Sequence, residues 1–300
     1  MVPVTDEPTA PSEQTPDDQP TTERASTERS STLPPAPWTR YVAIGDSFTE
    51  GLWDTSPSDP EQCRGWADRL AETFASRAQA AGAPDVTYAN LAVRGKLLRP
   101  ILVHQLPQAL RLKPDLVSMI GGGNDMLRPS ADPDEMARNL EDAVIRIRAT
   151  GADVLLGTGV DAADSPIIKV TRGRVAVYNA HIWSIARRHG AHVVDLWGMQ
   201  FIRDWRMWAE DRIHLTAEGH RRVAQGALVA LGQQPDDVAW ETPLEGAPAV
   251  ARALRARENA QWMREHLYPW AQRRLTGRSS GDLRSAKYPD LTPVEPRDPR

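Results

Sequence analysis

Residues 1–37 carry hardly an apolar pair, and the pattern changes abruptly at Trp38. From there, short apolar runs alternate with longer stretches of helical spacing. Tyr41-Val-Ala-Ile44 is a β-type run ending at Gly45-Asp46-Ser47. A loop rich in Asp, Ser and Pro covers 54–60, and a helix is predicted over 65–81. Residues 86–91 read as a second strand, and 97–112 as a helix broken or kinked near Pro107. The run 116–120 is a third strand, closed by three glycines. Met136, Leu140, Val144 and Ile147 give 133–150 a helical period, with Gly151 as its stop. A strand at 154–156, a helix over 170–189, a strand at 193–196 and a helix over 216–231 complete the series. Thr216 is the candidate N-cap of the last helix.

Short apolar strands alternating with helices predict repeated βαβ units, hence an α/β fold with a parallel sheet covered on both faces. Such sheets place ligands at the carboxyl ends of their strands. The polar residues of interest are therefore those that follow strands. Outside this domain (38–232), residues 1–37 are expected to be a disordered tail, since they cannot bury enough apolar surface to offset chain entropy. A connector and a helical stretch carrying Trp262 and Trp270 (233–275) are expected to pack on the domain. Residues 276–300, polar and proline-rich, are expected to be a flexible tail.

Composition narrows the function. The formal net charge is −4, and the arginines are scattered among acids, so no basic footprint for nucleic acid is present. The single cysteine, Cys63, forms neither an internal disulfide nor a thiolate cluster and reads as an ordinary loop cysteine. No apolar stretch approaches the ~20 residues of a membrane span. The beginning of the chain has no basic region followed by an apolar core, so a cytoplasmic protein is expected.

Four segments after strands carry candidate chemistry. Ser47 follows a buried strand at the sheet edge, although Gly-Asp-Ser is also ordinary turn chemistry. A serine hydroxyl needs a base, and histidine has the pKa for it. Asp211-Arg-Ile-His214 supplies a histidine with a carboxylate three residues away, able to orient the ring; a surface ion-pairing Asp beside a packed His has the same spacing. Gly121-Gly122-Gly123-Asn124-Asp125 brings close backbone and an amide donor to the same edge. A phosphate-cradling loop would be followed by Gly-Lys-Ser/Thr, which is missing; a plain turn is the remaining alternative. Asn90-Leu-Ala-Val-Arg-Gly95 offers a backbone N–H from a turn.

Taken together over about 39–232, these segments resemble the SGNH, or GDSL-like, hydrolase superfamily. Gly45-Asp46-Ser47-Phe48 is similar to its first block, with Phe48 where the name-giving pattern has leucine. Gly95 is similar to the glycine of the second block, Gly122-Gly123-Asn124-Asp125 to the third and Asp211-Arg212-Ile213-His214 to the fifth. The resemblance implies a three-layer α/β/α sandwich of flavodoxin-like topology and an esterase or lipase acting through an acyl-enzyme. It implies Ser47 as nucleophile, His214 as base, Asp211 as the residue orienting that base, and an oxyanion hole from the N–H groups of Ser47 and Gly95 and the Asn124 amide. Asp46 and Asp125 are read as fixing loop geometry by hydrogen bonds. No metal or organic cofactor is required. His189 and His192 have a metal-like spacing but no carboxylate support and read as structural, and His220 as packed or solvent-facing.

The expected substrate is a small-molecule carboxylic ester, thioester or acetylated sugar, with no nucleic-acid partner. The loops 50–64, 94–99, 126–130 and 161–174 are expected to form its pocket. They hold Trp53, Leu97, Leu98, Met126, Ile167 and Ile168 together with several arginines. The Trp-rich stretch 197–208 reads as packing before the DxxH loop, with an aromatic carbohydrate platform as the alternative. An acyltransferase on the same triad, or a catalytically silent binding protein, are the alternative functions.

Overall fold

The first apolar run forms strand β1 (Arg40–Gly45), and every residue in it after Arg40 is buried. Tyr41 and Ala43 face one helical layer, while Val42 and Ile44 face the other, as strand alternation requires. The computed structural model describes residues 33–56, 59–163, 165, 168–246, 261–262, 264–265 and 281–296. After β1 come a one-turn helix α1 (Ser47–Glu50), a hairpin of β2 (Thr55–Ser56) and β3 (Asp59–Cys63), helix α2 (Trp66–Ala81) and strand β4 (Thr87–Asn90). The next stretch is helical from α3 (Leu98–Pro100), through a π turn at Ile101–Gln105, to α4 (Leu106–Arg111). The chain continues through β5 (Leu116–Ile120), the short α5 (Gly123–Met126), α6 (Pro133–Arg148) and β6 (Asp153–Gly157). Helix α7 (Arg172–His189), β7 (His192–Val194), α8 (Ala217–Ala230) and β8 (Tyr288–Pro293) follow.

The sheet order is β7-β6-β5-β1-β4-β8, with every pair parallel except β4–β8. The five parallel strands thus have the flavodoxin-like order, and the connections reverse direction between β1 and β5. That reversal opens a crevice at the carboxyl ends of β1 and β5, where Ser47 and the glycine run begin. Helices α2 and α8 cover one face with Trp66, Leu70, Phe74, Val223 and Leu228. Helices α6 and α7 and the 98–111 segment cover the other with Leu140, Ile147, Ile182, Ile101 and Leu106. Each fully buried side chain of this kind contributes about 1.5–3 kcal/mol of transfer free energy.

Pro107 does not break its helix. The Leu106 N–H bonds the Ile101 carbonyl in the π turn, and the proline sits in the first turn of α4, where its missing donor costs nothing. The larger correction concerns the end of the chain. Residues 288–293, expected within a flexible tail, form β8, an antiparallel edge strand with Tyr88 opposite Thr292 and Asn90 opposite Tyr288. Pro289 and Pro293 read as strand breakers, yet an outermost strand needs donors on one side only. The Tyr288 ring lies 6.0 Å from that of Tyr88, which anchors the strand. Of the tail expected over 1–37 only 33–37 are described, and most of the helical stretch expected within 233–275 lies outside the described residues. Among those described, no helix is long and apolar enough to cross a membrane.

Candidate active site

Gly45 is what lets β1 end where it does. A Cβ there would stand 2.4 Å from the Ile120 carbonyl oxygen and 2.6 Å from Thr49 Oγ1, so any other residue would separate β1 from β5 and from α1. The Gln105 side chain grips the same residue, accepting from Gly45 N at 2.8 Å and donating to Gly45 O at 2.9 Å. Sequence reading passed over Gln105. Its signal was a polar residue four positions after Ile101 on a core-facing helical stripe. Asp46 caps α1 by accepting from Phe48 N at 3.1 Å, and Ser47 follows with its side chain at the crevice.

The partner histidine arrives from far along the chain. Residues 207–216 fold back on themselves, with Thr216 N on Met207 O at 2.8 Å and Ala209 N on His214 O at 2.8 Å. Arg212 turns the loop with φ 56° and stacks its guanidinium 5.3 Å from the Trp262 ring and 5.9 Å from the Trp205 ring. His214 Nε2 then lies 2.8 Å from Ser47 Oγ, and His214 Nδ1 lies 2.6 Å from Asp211 Oδ2. Asp211 Oδ1 accepts from the N–H groups of Ile213 and His214 at 3.0 and 3.1 Å. Burial alone would raise the Asp211 pKa, but the His214 ring and the two N–H groups outweigh it and hold the carboxyl below its usual range. A hydroxyl, an imidazole and an ionised carboxylate therefore stand in line, so the ring can take the hydroxyl proton while the carboxylate stabilises the resulting imidazolium.

Three donors are candidates for meeting an oxyanion at this site. The N–H groups of Ser47 and Gly95 have no hydrogen-bond partner among the described residues. Asn124 Nδ2 donates to Lys96 O at 3.1 Å and, through a longer bond, to Asp46 Oδ2 at 3.3 Å. Asp125 accepts from Leu98 N at 2.9 Å and so ties the glycine run to the turn that carries Gly95. Gly95 itself has φ 73° and does not line the cavity described below.

Asp46 is fully buried, and that burial pushes its pKa up to about 6, against the bonds from Phe48 and Asn124 that favour its charge. The folded state therefore binds this proton more tightly than the unfolded chain. The stability so gained is complete below the ordinary value of 3.8 and lost as the pH rises through about 6. Asp46→Asn keeps the cap without the charge. Relative to the parent it is expected to gain about 1–3 kcal/mol on going from pH 3.5 to pH 8. Urea unfolding at both pH values measures this, and an equal difference at both would contradict a raised Asp46.

A cavity of about 540 Å³ opens beside Ser47 and His214. Its walls are mainly apolar: Phe48, Met126, Val160, Ile168, Val175 and Trp208 stand among the lining residues. Of the loops expected to form it, 126–130 and 161–174 contribute. Among the described residues, none from the loops 50–64 and 94–99 lines it: Trp53 is exposed, and Leu98 is in the core beneath the sheet. Ile167 lies outside the described residues. The turn after β6 (157–160) and the tryptophans 205 and 208 take their place, so part of the Trp-rich stretch walls the cavity. Arg174 holds the 126–129 wall by donating to the Met126 and Arg128 carbonyls at 2.9 and 2.6 Å.

The three other histidines singled out in the sequence lie outside the Ser47–His214–Asp211 line. His189 bonds Glu141 at 2.7 Å and His192 bonds the Ala230 carbonyl at 3.0 Å, so the two rings do not converge. His220 is buried against Phe48, and burial holds its pKa down at about 3, which keeps it neutral. Cys63 is buried as well, with its thiol pushed upward by burial.

A family model described as the GDSL-like lipase/acylhydrolase family matches residues 43–222. Among solved structures, the chain is similar to an alpha/beta hydrolase enzyme from the metagenome of Lake Arreo, Spain. The two are 25% identical, with 65% of this chain and 95% of that one covered and a TM-score of 0.53. It is also similar to an acetylxylan esterase from Geobacillus stearothermophilus, at 20% identity, 68% and 97% coverage and a TM-score of 0.53. The psychrotrophic esterase EstA from Pseudoalteromonas sp. shares the fold at 16% identity, 65% and 97% coverage and a TM-score of 0.50. No curated protein matches the chain. The chain belongs to the GDSL-like lipase/acylhydrolase family and is an esterase of that type.

Proposed function

We propose that the protein hydrolyses carboxylic esters of apolar acyl chains through an acyl-enzyme on Ser47. The observation that carries this reading is the unbroken line from Ser47 Oγ through His214 to Asp211, with spacings of 2.8 and 2.6 Å. Ser47 Oγ attacks the ester carbonyl while His214 Nε2 takes its proton, and the imidazolium returns that proton to the departing alkoxide. Water then gives a proton to His214 and attacks the acyl carbonyl, and Ser47 leaves with the proton restored. The Ser47 and Gly95 N–H groups meet the oxyanion. Asn124 joins them by exchanging its longer bond to Asp46, a donor of this kind being worth about 10²–10³ in rate.

The cavity supports an acyl chain over an acetyl group. A volume of about 540 Å³ is far beyond the needs of a methyl group. Each methylene that leaves water for these walls is worth about 0.8 kcal/mol, or up to about fourfold in kcat/KM.

The test combines labelling with a chain-length series. A fluorophosphonate is expected to label one residue, mapped by mass spectrometry to Ser47. On p-nitrophenyl esters, kcat/KM is expected to rise from acetyl to octanoyl. Val175→Phe, which fills the cavity, is expected to lower the octanoyl value at least tenfold while changing the acetyl value less than threefold. Label on another residue removes the nucleophile assignment, and a flat series removes the acyl-chain assignment.

A further inference from the structure

The C-terminal segment 281–293 lies outside the family match at 43–222, yet it reaches the back of the site. Lys287 is largely buried, and its ammonium donates to Glu50 O at 2.6 Å, to Cys63 O at 2.9 Å and to Asp68 Oδ2 at 2.6 Å. Glu50 is the last residue of α1, the helix that Ser47 begins. Its carboxylate accepts from Arg94 N at 2.6 Å and from Arg94 Nε at 2.8 Å, and a further bond from Arg94 Nη2 completes a buried, forked pair. One carboxylate thus joins the helix of Ser47 to the residue before Gly95, and Lys287 holds that helix from behind.

Gly281 touches the same turn from outside. A Cβ on Gly281 would stand 1.9 Å from the Arg94 carbonyl oxygen. That oxygen and the Gly95 N–H belong to one planar trans peptide and point in opposite directions. Whatever bears on the oxygen therefore sets where the N–H aims. Lone buried charges are costly, so the Glu50–Arg94 pair, with Lys287 beside it, is a rigid constraint.

We infer that the C-terminal segment is a positioning element of the hydrolytic site, in which Lys287 and Gly281 hold the Glu50–Arg94–Gly95 unit so that the Gly95 N–H faces the substrate oxyanion. Neither residue touches substrate. The inference rests on the proposed role of Ser47 and Gly95. It gives the edge strand β8 a consequence for catalysis, because Lys287 is the residue that immediately precedes β8.

The test uses the full-length protein, with sites counted by stoichiometric phosphonate labelling so that unfolded molecules do not enter kcat. Lys287→Met is expected to lower kcat per labelled site by about 10–100-fold, since misplacing a catalytic group by about 1 Å is enough for such a loss. KM for a short ester should stay within twofold, because the cavity is elsewhere. The Ki of an alkyl trifluoromethyl ketone, whose hemiketal places an oxyanion in the same hole, should rise in parallel. Gly281→Ala, which disturbs the Arg94 carbonyl without removing a charge, is expected to act in the same direction. Lys287→Met with a lowered melting temperature but with kcat per site and Ki within twofold of the parent would overturn the inference. Ser47→Ala serves as the control: if it stays active, the site assignment itself has failed, whereas an inactive Ser47→Ala beside an unimpaired Lys287→Met refutes the positioning role alone.

Discussion

Ser47→Ala is expected to lower kcat on a short p-nitrophenyl ester by about 10⁶-fold and to leave the fold intact. The size of the loss follows from the way a nucleophile and its base act as a unit: with either gone, nothing remains for the other to do. What survives is binding and oxyanion stabilisation, worth on the order of 10³–10⁴ over uncatalysed hydrolysis. Stability should change by less than about 1 kcal/mol, the scale of one hydrogen bond, because alanine suits the first turn of α1 and, among the described residues, the Ser47 hydroxyl bonds only the His214 ring. KM should hold within a few-fold, since the cavity walls are unchanged. The measurement is steady-state hydrolysis with melting temperature as the control for folding. A variant that keeps more than a hundredth of the parent kcat would show that Ser47 is not the nucleophile.

How far the sequence was legible follows from the physics of each signal. Strands β1 and β5 were readable because buried parallel strands are continuous apolar runs, and α6 because its stripe is regular. The serine and the glycine–asparagine run were readable because they follow those strands at one sheet edge, and the DxxH loop because it pairs a carboxylate with a histidine three residues on. The Ser47 and Gly95 amides were assignable only by resemblance, since no residue type marks a backbone donor. Gln105 escaped notice because a buried polar side chain on an apolar stripe looks like a surface residue until its partner, Gly45, is placed beside it. Lys287 and β8 escaped for a related reason: two prolines and alternating polar residues spell a loop. Only the exposed edge of β4 supplies the pairing that makes this segment a strand. The cavity was misread in part because a loop's position in sequence does not say which way it folds. No described residue of 50–64 lines the cavity, while the turn after β6, featureless in sequence, does.

Asp211→Asn is the sterner test of the site, because it removes one charge and little else. Asparagine Oδ1 can still accept from the N–H groups of Ile213 and His214, which now bond Asp211 Oδ1 at 3.0 and 3.1 Å, so the loop should keep its shape. The change falls on the other atom. Where Asp211 Oδ2 accepts from His214 Nδ1 at 2.6 Å, the asparagine offers an N–H, and the ring must present a bare Nδ1 to meet it. The proton then sits on Nε2, the nitrogen 2.8 Å from Ser47 Oγ, and that nitrogen can no longer accept the hydroxyl proton. With the wrong tautomer favoured and the imidazolium unsupported, kcat is expected to fall about 10⁴-fold, with KM little changed because the loss arises in the transition state. The parent carboxylate, held below its usual range by its bonds, stays charged through the working range, so the loss should persist at every pH where the parent is active. A loss of less than tenfold at every pH, with the fold intact, would mean that Asp211 supports the loop and has no part in directing the imidazole.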